Sequence, residues 1–357
     1  MSELEAAQAA MEACYEAGWS DGLPVLPPWP SRVEAFLATT SAPREAVVLS
    51  LDHLGRAVTV ELAAVNAAMA GCKPEYFPVV LAALEALEAE GVARVGGWQS
   101  TTGGAPLLVV NGPVRQQLGF NASGNVLGPG FRANATVGRA IRLTILNALG
   151  IRPHDLDQST QGTAAKWTLC VAENEEESPF EPLHAEWGCA ASTSVVSALH
   201  IRSVDFVDNR QVSRPEQLLQ DLAGTLVRTG AQVTAQGWAV ILLGPEHAQL
   251  LAHHGYRKAD VRQALWEKAA VSHQTLARAG KDGVEQPLQW RRPGRPQDGP
   301  PSDPLSVIRL VARPEHLAIV VTGAGTAGVS AVAHALGPSL NPGFQGWGWA
   351  AVSKWVR

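Results

Sequence analysis

The sequence predicts an α/β (or α+β) protein: two related α/β halves with mixed sheets and Gly/Pro-rich ordered loops. Three observations carry that expectation. A chain of 357 residues is long for one small core and suggests one large or two medium domains. Helix-period segments alternate with short apolar runs of strand length, such as 107–110, 238–243 and 317–321, and that alternation marks α/β units. The third is an echo in element order: Pro-Glu opening a helix, a glycine, a strand, Gly-Pro, a short helix, a glycine. It occurs from Pro74 and again from Pro215. The two spacings differ, so the echo is one of topology and not a sequence repeat. Two halves, 1–189 and 190–357, are the expectation, against the plainer reading that α/β units commonly look alike.

Each element has a local reason. Residues 2–17 read as a helix stopped by Gly18. Four prolines between 24 and 30 forbid helix and central strand, so 18–30 should be an ordered wrap anchored by Trp19 and Trp29. Residues 47–51 read as a strand, and Thr59 as N-cap of a helix over 60–70 that Gly71 ends. Pro74 opens a helix to Glu90, at the first helical position where its missing N–H does no harm. Residues 107–110 form a buried strand closed by Asn111-Gly112-Pro113. The stretch 121–150 passes from a Gly/Asn loop into a helix capped by Asn134 or Thr136, and 167–171 read as a strand. Later come a helix from Pro215 to Thr229 ended by Gly230, a strand over 238–243, and a short helix after Gly244-Pro245. A Pro-rich arm follows at 281–304, then strands over 306–312 and 317–321, then a Gly-rich turn and a short helix. The aromatic, Gly-rich end should pack on the body or on another subunit.

Composition excludes several classes. The residues are 46% hydrophobic and 17% charged, a globular profile. Net charge −5 offers little to a phosphate backbone and argues against nucleic acid. The acidic start is not a secretory leader, and no run reaches the ~18 apolar residues of a membrane span. Four scattered cysteines without a CxxC pair suit reduced thiols. Soluble, cytoplasmic and, from the Trp-rich, low-charge composition, homo-oligomeric is the expectation.

Two motif matches fail on context. Residues 18–22 fit G-x-S-x-G, but a helix precedes them and prolines follow. Residues 323–328 fit G-x-G-x-x-G after a strand, yet the 29 residues left offer no acidic residue for a ribose. A complete NAD or FAD site is therefore not expected; backbone amides at a helix start holding an anion are what survives.

Three segments could carry chemistry. The first combines the glycine loop with Gly128 and Gly130, a helix start, and Arg132, Arg139 and Arg142, with the last two on one helical face. Free amides, helix dipole and guanidinium forks make a site for carboxylate or phosphate; a solvated arginine face is the alternative. The second is Cys72, beside Lys73 and before a helix start, where a thiolate would be stabilised; a buried small hydrophobe is the alternative. The third is acidic. Glu173, Glu175, Glu176 and Glu177 follow a strand, where carboxylates can bind a divalent ion or act as base, although a charge run is usually a solvated loop. His247, after the Gly244-Pro245 strand end, could move protons near neutral pH, or simply sit at the surface.

The segments SDGLPVLPP (20–28), NAAMAGCKPEYFPVV (66–80), the turn at 111–113, GNVLGPGFRANATVGRAIRL (124–143), ENEEESPFEPL (173–183) and GPEHAQLLAHHGYRKADVRQAL (244–265) resemble a bacterial family often annotated in connection with UGSC-type selenoproteins. The resemblance covers most of the chain to about residue 270. It implies that Cys72, Asn111, Asn125, Arg132, Asn134, Arg139, Glu175, His247 and Lys258 belong to family motifs. With no Cys-Gly-Ser-Cys in this chain, thiol or selenol redox chemistry would need a separate partner protein.

The leading expectation is an enzyme of hydrolase or lyase type acting on a small anionic molecule. Cys72 would be its nucleophile, Glu175 or His247 would move protons, and Arg132, Arg139 and the 128–136 loop, with Asn111, Asn125, Asn134 and Lys258, would bind substrate. The alternatives are a metal-dependent enzyme using a divalent ion on Glu175, Glu176 and His247, and a non-catalytic thiol-redox or ligand-binding partner.

Overall fold

The computed structural model describes residues 2–92, 96–228, 237–279, 306–311, 313–335 and 347–352. The Pro-rich arm at 281–304, the expected helix end at 229–230 and residues 336–346 lie outside them. In chain order the elements are α1 (Glu3–Glu16), α2 (Pro30–Leu37), β1 (Val47–Leu51), β2 (Arg56–Thr59), α3 (Val60–Ala70), α4 (Phe77–Glu90), β3 (Ala105–Asn111), α5 (Val114–Gln117), α6 (Arg132–Asn147), β4 (Cys170–Ala172), α7 (Leu183–Glu186) and β5 (Val195–Asp208). Then follow α8 (Pro215–Leu226), β6 (Ala239–Leu243), α9 (Pro245–His253), α10 (Lys258–Lys268), β7 (Ala270–Ser272), α11 (His273–Arg278), β8 (Val307–Arg309), β9 (Leu317–Val321), β10 (Val329–Ala335) and β11 (Gly348–Ala351).

Local chemistry accounts for many of these. Ser2 and Glu5 close a capping box on α1, satisfying two otherwise free amides. Thr59 caps α3 by accepting from Leu62 N–H at 3.2 Å, and Gly71 ends that helix at φ +86°, a conformation open to glycine. Pro74 opens a single 3₁₀ turn, and α4 continues from it with nearly every side chain buried; a helix apolar all round belongs inside a core.

One mixed sheet organises the fold. Its path is β4-β3-β5-β10-β6-β9, with β11 added to β5. β3 runs parallel to β4 and β6 parallel to β9, while β5 and β10 meet antiparallel at the centre. Exchanging β3 with β6, β4 with β9 and β5 with β10 leaves the order unchanged, so the strand sets β3-β4-β5 and β6-β9-β10 are related in topology. The division near residue 190 falls between β4 and β5, inside this continuous sheet.

The sheet curls until its two edge strands meet at their C-terminal ends. Asn174 N–H donates to Val321 C=O at 2.8 Å, and Thr322 Oγ1 donates to Ala172 C=O at 2.9 Å. Alternate residues such as Leu107, Val109, Leu199, Val240, Val320 and Ala331 fill the inner face. Their neighbours point out, as period-two geometry requires. Leu108, Val110 and Ala198 pack under α3, α4 and α6, and Ile241, Ile319 and Val332 under α8, α9 and α10.

Three expectations are corrected. The wrap ends in a helix, α2, with Pro30 at its first position. The 14-residue strand β5, central to the sheet, has no counterpart in the sequence reading. The residues expected as a short helix after the Gly-rich turn are strand β10. Alanine-rich VSAVAHA favours helix by propensity, but a slot between β5 and β6 overrides it. Among the described residues no helix is long and apolar enough to cross a membrane.

Candidate functional site

Two glycine-rich loops face each other where strands end: 121–130, which leads into α6, and 322–328, between β9 and β10. The first is pinned by Asn134, whose Oδ1 accepts Asn121 N–H at 2.8 Å and whose Nδ2 donates to the carbonyls of Asn121 and Cys170, both at 3.0 Å. Asn125 adopts the left-handed conformation at φ 60°, which asparagine tolerates better than most residues. Its Nδ2 donates to Pro129 C=O at 2.7 Å. A Cβ on Gly128 would stand 2.1 Å from Asn125 Oδ1, so the folded-back amide demands a glycine there. Gly323 N–H donates to Ala122 C=O at 2.9 Å and Asn174 Nδ2 to Gly323 C=O at 3.0 Å, joining the loops to each other and to the end of β4.

Between the loops lies a cavity of about 400 Å³ whose lining includes Asn125, Leu127, Phe206, Leu242, Thr322 and Thr326. Leu242 belongs to the inner face of the sheet, so the cavity opens at the mouth of the curl. Among the described residues no charged side chain is in its lining. Its polar groups are amides, hydroxyls and main chain, and the rest is apolar.

The residues expected to bind an anion have other partners. Arg139 makes a fork on Asp21, both contacts 2.8 Å, and reaches the carbonyls of Leu23 and Pro24 at 3.1 and 2.9 Å. It fastens the proline-rich wrap to α6. Arg132 donates through Nε and Nη2 to Gly71 C=O at 3.1 and 2.9 Å, closing the turn after α3. Neither Asn134 nor Thr136 caps α6: Phe131 is the N-cap, with no side-chain bond, and Thr136 Oγ1 donates to Arg132 C=O at 2.7 Å. The 323–328 glycines precede a strand, so the expected helix-start amides do not exist there. Gly130, at φ +125°, serves the turn before Phe131.

Cys72 is fully buried, with its thiol 3.2 Å from Thr136 C=O. Burial pushes its pKa up to about 12, against the pull of that hydrogen bond and of Arg132, Arg32 and Arg139. Removal from water thus outweighs the nearby positive charge and works against the expected activated thiolate.

Glu173, Glu175 and Lys258 belong to one network of hydrogen bonds and ion pairs around Asn111. Glu173, wholly buried, accepts from Asn111 Nδ2 at 2.7 Å and Leu183 N–H at 2.8 Å and faces Lys258 Nζ at 3.5 Å. Lys258 also faces Glu186 at 3.5 Å, which holds Arg262 at 2.6 Å. Glu175 accepts from Asn111 Nδ2 at 3.0 Å and Gly112 N–H at 2.8 Å and pairs with Arg115 at 2.9 Å. Glu176 shares that arginine, which with burial opposing holds its carboxyl below the usual range. His247 is elsewhere and buried: its Nε2–H donates to Asn209 C=O at 3.1 Å, which leaves Nδ1 to accept from Ser330 Oγ at 2.7 Å. Ser330 shares the outward side of β10 with Val332, which packs in the outer cluster. Glu175, Glu176 and His247 therefore do not converge, and among the described residues no group of three His, Cys, Asp or Glu could hold a metal ion.

The sequence reading missed Arg115, Glu186, Arg262 and Ser330. The Asn111-Gly112-Pro113 turn could have pointed to Arg115, two residues on; nothing local marks the others. Comparison of the chain with protein-family models, curated proteins and solved structures finds no match.

Proposed function

We propose that the protein binds a small, largely apolar organic molecule carrying carbonyl or hydroxyl groups, in the cavity between loops 121–130 and 322–328. One observation carries this reading: a space of about 400 Å³, within the ~300–1,000 Å³ range of ligand sites, lies where loops from the two related halves converge at strand ends. Val126, Leu127 and Leu242 supply apolar contact, and Asn125, Thr322 and Thr326 the few polar groups that orient a ligand. A lining without positive charge favours a neutral ligand over the anion expected from sequence. A thermal-shift screen of neutral small molecules tests it. Compounds that stabilise the wild type should lose their effect in Ala327→Phe, which fills the cavity. Equal shifts in both proteins would place the binding elsewhere.

A second reading, an enzyme of hydrolase or lyase type acting on that molecule, draws support from two ionisable side chains beside the same loop. A Cβ on Gly325 would stand 3.0 Å from Glu177 Oε2, and one on Gly328 2.7 Å from His247 Nε2. Glu177 is the better proton carrier, because both His247 nitrogens are engaged. Compounds found in the screen, incubated with the protein and followed by mass spectrometry, should be converted by wild type and bound but not converted by Glu177→Gln.

A further inference from the structure

Strand β5 outruns its neighbour β3. Its residues 195–201 pair with the whole of β3, and residues 203–208 pair with β10 on the opposite side. Beyond Ile201 the β3 side of β5 has no strand beside it. Among the described residues no main-chain hydrogen bond reaches that edge either. Alternate N–H and C=O groups of a strand point to its two sides, so part of those in 203–208 face outward unpaired.

An open groove of about 1180 Å³ follows this edge. Its lining includes Asp205 and Phe206 of β5 and Gln217, Asp221 and Gly224 of α8. Asp205 and Phe206 are neighbours on a strand and so point to opposite faces of the sheet. Phe206 stands opposite Ala331 of the inner face, while Asp205 reaches Arg228, just past α8, at 2.7 Å. A groove that touches both must pass round the edge of β5, and β10 closes the other edge. The free edge therefore faces the flank of a helix, with room between them.

Gly224 keeps that room clear. It lies inside α8, where glycine weakens a helix, and a Cβ there would meet nothing within 4 Å. Packing does not call for glycine at this position; any larger side chain would enter the groove.

The lining also selects the occupant. Outward main-chain donors and acceptors are matched by another main chain. The groove sets Arg214, Arg228 and Lys268 against Asp205, Glu216 and Asp221. That balance of signs offers little to a polyanion and complements a peptide carrying both charges. An added strand would direct alternate side chains to the two faces. One set would meet Phe206, which is 68% exposed, and the other the charged flank of α8. We propose that residues 203–208 and α8 form a docking groove for an extended peptide of a partner protein. The peptide joins the sheet beside β5, with apolar residues alternating with charged residues of both signs. Of the lining residues, Phe206 alone is shared with the cavity between the glycine loops.

The test begins with phage-displayed random decapeptides selected on the immobilised full chain. Enriched peptides should lack proline and alternate apolar with charged residues. The best of them, made with a fluorescein label, should bind wild type in solution and slow amide hydrogen exchange in 203–208. Gly224→Trp fills the groove and should weaken binding at least ~10-fold without lowering the urea midpoint. No enrichment, equal binding by Gly224→Trp, or binding that leaves exchange in 203–208 unchanged overturns the proposal. So does full protection of 203–208 before peptide is added, which would mean that the chain covers its own edge. Protection that rises with protein concentration alone would make the occupant a second copy and overturns it too. Should Gly224→Trp not fold, the exchange measurement on wild type decides.

Discussion

Glu173 Oε1 lies 3.5 Å from Lys258 Nζ, and both side chains are closed off from solvent. The pair joins the end of β4 to the start of α10 beside the seam where the edge strands meet. Removing one partner of a buried pair leaves an uncompensated charge. Glu173→Ala should therefore lose about 3–5 kcal/mol, read as a lower urea midpoint at unchanged slope. Lys258→Met should lose less, because Glu173 keeps its bonds from Asn111 and Leu183.

Glu90 makes stability depend on pH. Its folded pKa, raised by burial to about 8 from 4.5, exceeds the unfolded one. Its contribution is thus fully present below pH ~4.5 and is lost as pH rises towards 8. Glu90→Gln keeps an oxygen for the His200 and Val92 amides and cannot ionise. It should match the wild type near pH 4.5 and exceed it by ~3 kcal/mol near pH 8, measured by urea unfolding at both values.

The cysteines should separate by burial. Cys189 is partly exposed, whereas Cys14, Cys72 and Cys170 are buried, and burial raises the pKa of all three. Iodoacetamide at pH 8, followed by mass spectrometry, should label Cys189 in the native protein and the other three after unfolding. Labelling of native Cys72 at a rate above that of Cys189 would restore it as a reactive thiol.

Arg139 ties the segment 19–29 to α6 through Asp21 and two carbonyls. Arg139→Met removes a partly buried fork and should destabilise by about 2–3 kcal/mol. The same variant should be nicked faster by thermolysin around Leu23 and Leu26, which are already exposed.

The local devices were readable because each acts within a few residues: Thr59 on Leu62, Gly71 at the end of α3, and the all-apolar strands β6 and β9. The topological echo, too, corresponds to related positions, β3 beside β4 and β6 beside β9. β5 and β10 escaped because their pattern gains meaning only from the strands on either side. The candidate site fared less well. The roles of Cys72 and Arg139 depend on partners that spacing does not reveal: Thr136, 64 residues from Cys72, and Asp21, 118 residues from Arg139.

By itself, then, the sequence determined many of the elements, several helix starts and stops, and the loops that carry glycine, since caps, prolines and left-handed turns act locally. Tertiary structure alone decided which arginines are neutralised, which thiol is withdrawn from water, and where two distant loops enclose a cavity. Charge pairing and desolvation depend on distances in space, and those exist only once the sheet has curled and its edges have met.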